Sequence, residues 1–157
     1  MRSIHQLKNL TPRYPPPVIP RKNSHPDGSP FATGAPGRQI HPALGRRPGE
    51  AIVEKEHPDA FQGSSLGRVL GEQGIGAVVV CGFASEACVD TTVRSAYGRG
   101  LSVELAGDAH STTDGGALDA EQVIAHENHV LARFAAILAT VDIRFEISAA
   151  PSDARAP

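Results

Sequence analysis

A continuous apolar run at residues 77–81 limits the fold of this chain more than any other feature. It reads Ala-Val-Val-Val-Cys, with valine at its three central positions. A short run of this kind, rich in β-branched residues, is typical of a parallel strand that is buried on both faces. Because consecutive parallel strands need a long crossover connection, usually a helix, helical segments are expected on either side of it.

Apolar residues at helical spacing do flank this run. Leu66, Val69 and Leu70 predict a helix over residues 64–73, which Gly74 would end. Strands that alternate with helices predict an α/β fold, a three-layer α/β/α sandwich around a parallel, Rossmann-like sheet. The other predicted elements are helices over 86–97 and 117–139, strands at 51–53, 101–105 and 141–147, and a Ser/Thr/Asp/Gly-rich loop over 108–116.

The composition of the chain changes sharply near Glu50. Most of the 13 prolines lie in residues 1–49, and proline breaks helices and cannot donate a hydrogen bond to a sheet. We therefore expect residues 1–49 to form an extended, irregular segment. Residues 50–147 should form the folded domain, and residues 148–157 a flexible tail.

Charge and cysteine content argue against several classes of protein. The net charge is -2, so nothing favours a nucleic-acid or anionic-membrane partner. The sequence has no apolar run near the roughly 20 residues that span a bilayer. Its N-terminus lacks the apolar core of a secretory signal, and two cysteines are too few for a disulfide-rich secreted protein. We therefore expect a cytoplasmic protein that binds neither nucleic acid nor membrane.

Cys88 is the first candidate for chemistry. It would lie in the first turn of the helix after strand 77–81, at the carboxyl end of the sheet, where open parallel sheets bind ligands. Unpaired amide groups and the helix dipole favour a thiolate there and can hold an oxyanion. Most free cysteines are small buried hydrophobes, and geometry alone leaves that alternative open. Cys81 is expected in the core, with its side chain pointing away from Cys88.

Several short blocks follow one another in a characteristic order. Together they resemble the isochorismatase-like cysteine hydrolase superfamily, with its isochorismatases, nicotinamidases and N-carbamoylsarcosine amidohydrolases, over about Asn23 to Ile147. Ser64 stands where a threonine is usual. The blocks are Val53–Lys55, Ala60–Leu66, Val80–Thr92, Gly98–Gly100, Gly107–Thr112 and His126–Leu131.

The resemblance implies a catalytic triad of Asp, Lys and Cys. By motif, Cys88 matches the nucleophile and Lys55 its cationic partner, although a lysine at a strand end is ordinarily solvated. The resemblance also implies a cis peptide bond between Phe83 and Ala84, with the amides of Ala84 and Cys88 as oxyanion donors. Phe61 either lines the substrate pocket or packs in the core.

Histidines raise the question of a metal site. His126 and His129 lie one helical turn apart, a spacing that metal ligands can have, but a third ligand is missing and ordinary helix histidines are expected. Nicotinamidases bind a metal through an Asp-x-His motif in a part of the fold that has no match here. The resemblance makes Asp108, two residues before His110, a loop-ordering residue. We predict no metal and no cofactor.

The resemblance has one gap. The family opens with an apolar strand that bears the general-base Asp, and no segment here matches it, because Asp27 sits in a Pro/Gly-rich loop. The N-terminal part of the fold is therefore expected to be incomplete, through a misassigned start, a frameshift or a truncation. The chain as given should turn over poorly until an Asp-bearing strand is restored.

Two main classes of function remain. The first is a cysteine hydrolase that uses Cys88 on an amide, carbamoyl or related bond of a small molecule, which the sequence does not name. The alternative is a catalytically impaired family member with a structural or oligomer-subunit role, and a thiol redox sensor using Cys88 is a third option. As partners we expect a small-molecule substrate and further copies of the chain in a homo-oligomer.

Overall fold

The computed structural model describes residues 51–144. The predicted irregular segment 1–49, the tail 148–157 and the end of the last predicted strand lie outside the described residues. Within them the elements are helix α1 (Leu66–Glu72), strand β1 (Ala77–Phe83), a π-helical turn (Ser85–Val89), helix α2 (Asp90–Gly98), strand β2 (Ser102–Ser111), helix α3 (Ala120–Leu131) and strand β3 (Ala136–Leu138).

The three strands form one sheet in the order β1-β2-β3. Both pairings are parallel, with Val78 opposite Val103 and Leu105 opposite Ile137. Helices α2 and α3 make the connections between consecutive strands, as parallel pairing requires. The predicted α/β class with a parallel sheet is therefore confirmed.

Side chains of β1 alternate between two hydrophobic clusters. Val78 and Val80 pack on the side of the larger cluster, whereas Val79 and Cys81 pack with Ile143 on the opposite side, as the two-residue period of a strand requires. The larger cluster also takes in apolar residues from all three helices, so the described helices cover one face of the sheet. They are Leu66, Leu70, Val93, Ala96 and Leu131.

Gly74 ends α1 as the sequence predicts. Its φ of 64° is in the left-handed region that favours glycine. In that conformation the amides of Gly74 and Ile75 reach back to the carbonyls of Gly71 and Leu70, at 3.1 and 2.9 Å. These bonds satisfy carbonyl groups that the end of a helix would otherwise leave unpaired.

The helix predicted over 117–139 is wrong in its second half. It begins at Ala120, with Asp119 as the N-cap in a capping box with Gln122, and it ends at Leu131. Residues 136–138 instead form β3, because this short apolar run fits a buried strand as well as a helix and gains ladder bonds with β2. The strand predicted at 141–147 is correspondingly wrong over 141–144, which form a turn and irregular chain.

Two other predicted boundaries differ from the structure. The predicted strand at 51–53 is reduced to isolated bridges at Ile52 and Lys55. The predicted loop 108–116 starts later, because β2 runs on to Ser111 through an irregularity. Val80 pairs with Leu105 but Gly82 pairs with His110, so β2 advances five residues while β1 advances two. Among residues 51–144, no helix has the length and apolar character needed to cross a membrane.

Candidate active site

The turn after β1 carries Cys88. The peptide bond between Phe83 and Ala84 is cis, at the position that the sequence indicates. Ala84 then precedes the π-helical turn with an extended backbone, and its carbonyl accepts the amides of Ala87 and Val89 at 3.2 and 3.1 Å. Within the described residues no side chain caps this helix start, so no capping side chain competes with a ligand for the amides that the turn itself leaves unused.

The two thiols differ in their surroundings. Both Cys81 and Cys88 are free. Cys88 is buried, 7% exposed, in the π-helical turn that leads into α2. On β1, burial raises the pKa of the Cys81 thiol to about 11. Cys81 therefore stays protonated at neutral pH and is a poor nucleophile.

Lys55 is buried and tied to the segment that packs on α2. It is 7% exposed, which excludes a solvated surface lysine. Its Nζ donates to the carbonyls of His57 at 3.1 Å and Pro58 at 2.7 Å. The Thr92 hydroxyl also donates to the Pro58 carbonyl, at 3.5 Å, and accepts the Ala60 amide at 3.1 Å.

The Pro58 carbonyl connects Lys55 with α2, because the Lys55 ammonium and the Thr92 hydroxyl both donate to it. Cys88 lies four residues before Thr92, in the π-helical turn that leads into α2. Both predicted catalytic residues thus lie on segments joined to the first turn of α2. Their roles as nucleophile and cationic partner stay predictions.

The two aromatic residues predicted near the site have different environments. Phe61 lies in the core with 6% of its surface exposed, and the Arg99 guanidinium lies over its ring at 4.7 Å. Core packing therefore accounts for Phe61, and the substrate-binding role predicted for it has no support in this placement. Phe83 is 56% exposed beside the Cys88 turn and is better placed to meet a ligand.

A buried polar network that sequence reasoning missed lies directly behind this turn. Ser85 Oγ and His110 Nδ1 are 2.8 Å apart, and His110 Nε2 lies 3.0 Å from Asn128 Oδ1. Asn128 Nδ2 then donates to the carbonyl of Gly107 at 3.0 Å. We call Ser85, His110 and Asn128 the relay. The sequence signal for the relay is limited to the fact that its three polar residues lie in the blocks Val80–Thr92, Gly107–Thr112 and His126–Leu131.

Asp108 has the loop-ordering role that the resemblance implies. Its carboxylate accepts the Thr140 amide at 2.8 Å and the Thr140 hydroxyl at 2.9 Å. His126 and His129 are exposed on α3. Among residues 51–144, no group of three or more His, Cys, Asp or Glu side chains could hold a metal ion.

Glu127 is the other unusual polar side chain near the site. It is 8% exposed on α3, and within the described part of the chain its Oε2 has no hydrogen-bond partner. Burial raises the pKa of Glu127, and the nearby Asp90 carboxylate raises it further. No pattern in the sequence signals this burial, since a glutamate in a helix is ordinarily solvated.

Known proteins share both the sequence and the fold of this chain. The isochorismatase domain profile matches residues 8–141, and so extends further towards the N-terminus than Asn23. A streptothricin hydrolase of Streptomyces noursei is 41% identical over 91 residues, which cover 56% of this chain and 36% of the relative. A secreted isochorismatase effector of Verticillium dahliae is 33% identical over 109 residues, or 69% of this chain and 57% of the relative.

Solved structures agree with this similarity. An isochorismatase from Pseudomonas putida KT2440 superposes with a TM-score of 0.74 at 33% identity, covering 81% of this chain and 68% of that one. The chain spans less than two thirds of the length of the two curated relatives described above. What those whole proteins do therefore does not pass directly to this chain.

Proposed function

This chain belongs to the isochorismatase family, and we propose that it is a cysteine hydrolase in which Cys88 attacks a C–N or related bond of a small molecule. The observation that supports the proposal is a buried Cys88 at an uncapped helix start, together with a buried Lys55 that shares the Pro58 carbonyl with Thr92 of the helix that follows. The name of the Streptomyces noursei relative, a streptothricin hydrolase, is consistent with hydrolysis of a small molecule.

The attack would proceed through a tetrahedral intermediate. The Cys88 thiol first releases its proton to water, the thiolate sulfur then forms a bond to the carbonyl carbon, and the carbonyl π electrons move onto oxygen. The amides of Ala84 and Cys88 are the proposed donors to that oxyanion, because they flank an uncapped helix start where negative charge is favoured. The Lys55 ammonium, which shares the Pro58 carbonyl with Thr92, is the proposed source of positive charge.

Collapse of the intermediate breaks the bond to the leaving amine and leaves a thioester on Cys88. The amine must gain a proton as it departs, and the water that later cleaves the thioester must lose one. A positioned acid–base group is typically worth about 10²–10⁴-fold in rate. Because no residue here matches the family Asp, we propose that acylation of Cys88 outruns turnover.

An activated aryl ester tests this proposal on the full chain. The expected result is a burst of about one equivalent of aryloxide per chain, followed by slow release. The burst should vanish in Cys88→Ala. It should persist in Cys81→Ala, the matched control, because the Cys81 thiol is protonated at neutral pH.

A second comparison tests the cationic partner. Lys55→Met should slow the burst by about tenfold or more, as expected for loss of a charge that stabilises the attacking sulfur and the oxyanion. A burst that survives Cys88→Ala would refute the nucleophile, and a burst unaffected by Lys55→Met would refute the role of the lysine.

A further inference from the structure

We propose that the relay of Ser85, His110 and Asn128 is the positioning device of the Cys88 turn. It would hold the Ala84 and Cys88 amides in the direction that an oxyanion requires, without touching the substrate. This inference rests on the proposed function, because it concerns the turn that bears Cys88. It goes beyond the proposed function by giving a positioning role to three residues other than Lys55 and Cys88.

The hydrogen-bond partners fix the direction of every bond in the relay. The Gly107 carbonyl can only accept, so the Asn128 amide nitrogen must face it and the Asn128 oxygen must face His110. The opposite amide orientation would put two acceptors against each other. His110 Nε2 therefore carries the proton, and in the neutral ring Nδ1 accepts from the Ser85 hydroxyl.

The burial of these side chains separates positioning from direct chemistry. A serine that donates to a histidine, which is in turn oriented by an asparagine, has the connectivity of a hydrolytic triad. Ser85, however, is 0% exposed and His110 is 5% exposed, so no substrate can reach that hydroxyl. Because the relay is buried, it can influence the reaction only by holding the backbone of the turn in place.

The relay joins three separate elements behind the site. Ser85 opens the π-helical turn directly after Ala84, His110 lies on β2, and Asn128 lies on α3. Asn128 reaches the irregular part of β2 because Gly107 has no side chain. A Cβ there would meet Asn128 Oδ1 at 3.0 Å. The turn is thereby fixed to the sheet and to the helix layer at one point.

Two reactions of the same thiol separate positioning from general destabilisation. Alkylation by iodoacetamide displaces iodide from a saturated carbon, so it forms no oxyanion. Acylation by an aryl ester forms a C–S bond, passes through an oxyanion and expels aryloxide. Only the second reaction needs the turn amides. The ratio of the two rates, measured on the full-length chain, therefore reports the alignment of the donors.

The variants Ser85→Ala and Asn128→Ala should each slow acylation by roughly 10–100-fold, below the 10²–10³-fold typical for complete loss of an oxyanion donor. Alkylation of Cys88 should change by less than about threefold. Because both residues act through one network, the double variant should be little worse than either single variant. His129→Ala, an exposed substitution on the same helix, should change neither rate.

The wild-type chain offers a test that needs no variant. Nitrogen NMR of the imidazole should show a protonated Nε2 and an unprotonated, hydrogen-bonded Nδ1 in His110. A protonated Nδ1 with a bare Nε2 would overturn the relay, even if both variants failed to fold. Acylation and alkylation that fall together, or acylation that does not fall, would also overturn it. A wild-type Cys88 inert to both reagents would instead refute the proposed function and leave the tautomer to decide on the relay.

Discussion

Glu127 shows how one side chain can set the pH dependence of this fold. Burial disfavours its charged form, and the carboxylates of Asp90 and Glu86 act in the same direction, against His126 and Arg94. An acid whose pKa is raised on folding binds its proton more tightly in the folded state. Its contribution to stability is therefore greatest when it is protonated, and is lost as the pH rises through the folded-state pKa.

The substitution Glu127→Gln should consequently stabilise the chain at neutral pH. The gain in unfolding free energy should be roughly 1 kcal/mol, the scale of a buried polar group without a partner, and it should shrink as the pH is lowered. Urea unfolding followed at several pH values measures this. Glu121→Gln, an exposed glutamate on the same helix, is the control and should give no such gain. A wild-type chain more stable than Glu127→Gln at pH 7 would contradict the account.

At Gly107 on β2, side chains of β3 and α3 approach the backbone closely. A Cβ at this position would lie 2.8 Å from Ile137 Cγ2 and 3.0 Å from Asn128 Oδ1. Both distances are too short for ordinary packing. The present packing of Ile137 and Asn128 against β2 therefore depends on the absence of a side chain here.

Gly107→Ala should destabilise the chain by about 1–3 kcal/mol, the usual cost of overpacking a filled site. Gly71→Ala, in α1, is the matched control, because a Cβ there meets nothing within 4 Å. That control should be neutral or stabilise the helix by up to about 1 kcal/mol. Urea midpoints for the two variants measure the difference. Equal midpoints would contradict this prediction, because they would show that Asn128 and Ile137 can shift without loss of stability.

Sequence patterns were sufficient to predict those elements whose local geometry demands particular residue types. The valines of β1 and the stop at Gly74 are visible in the sequence, because burial on both faces and a left-handed backbone each demand particular residue types. The apolar run over 135–138 was misassigned to a helix. Its side chains suit either period, and only pairing with β2 decides between them.

In the candidate site, too, residues in contiguous motifs could be predicted, whereas contacts made only in the folded chain could not. Cys88 and Lys55 could be proposed from the sequence because each belongs to a contiguous motif, and their roles stay predictions. The relay was not found, since Ser85 and His110 are 25 residues apart and meet only through the irregular register of β2. The burial of Phe61 likewise follows from tertiary packing under Arg99, which no spacing in the sequence reveals.

At the scale of the whole molecule, the proposal favours attack by Cys88 over repeated turnover. The turn that bears Cys88 follows β1 and leads into α2. Ser85 of this turn bonds to His110, and Lys55 and Thr92 of α2 share the Pro58 carbonyl. The carboxylate that would move protons has no assigned residue among the motifs of this chain. The central claim is thus that Cys88 is a selectively reactive nucleophile in the folded protein.

Competitive alkylation of the native full-length chain at neutral pH tests that claim most directly. Peptide mapping after brief exposure to iodoacetamide gives separate rates for Cys88 and Cys81. We expect Cys88 to react faster than a free thiol, whereas Cys81, with its pKa raised to about 11, should be modified much more slowly. Modification of Cys81 first, or a Cys88 that stays inert until the chain unfolds, would contradict that claim.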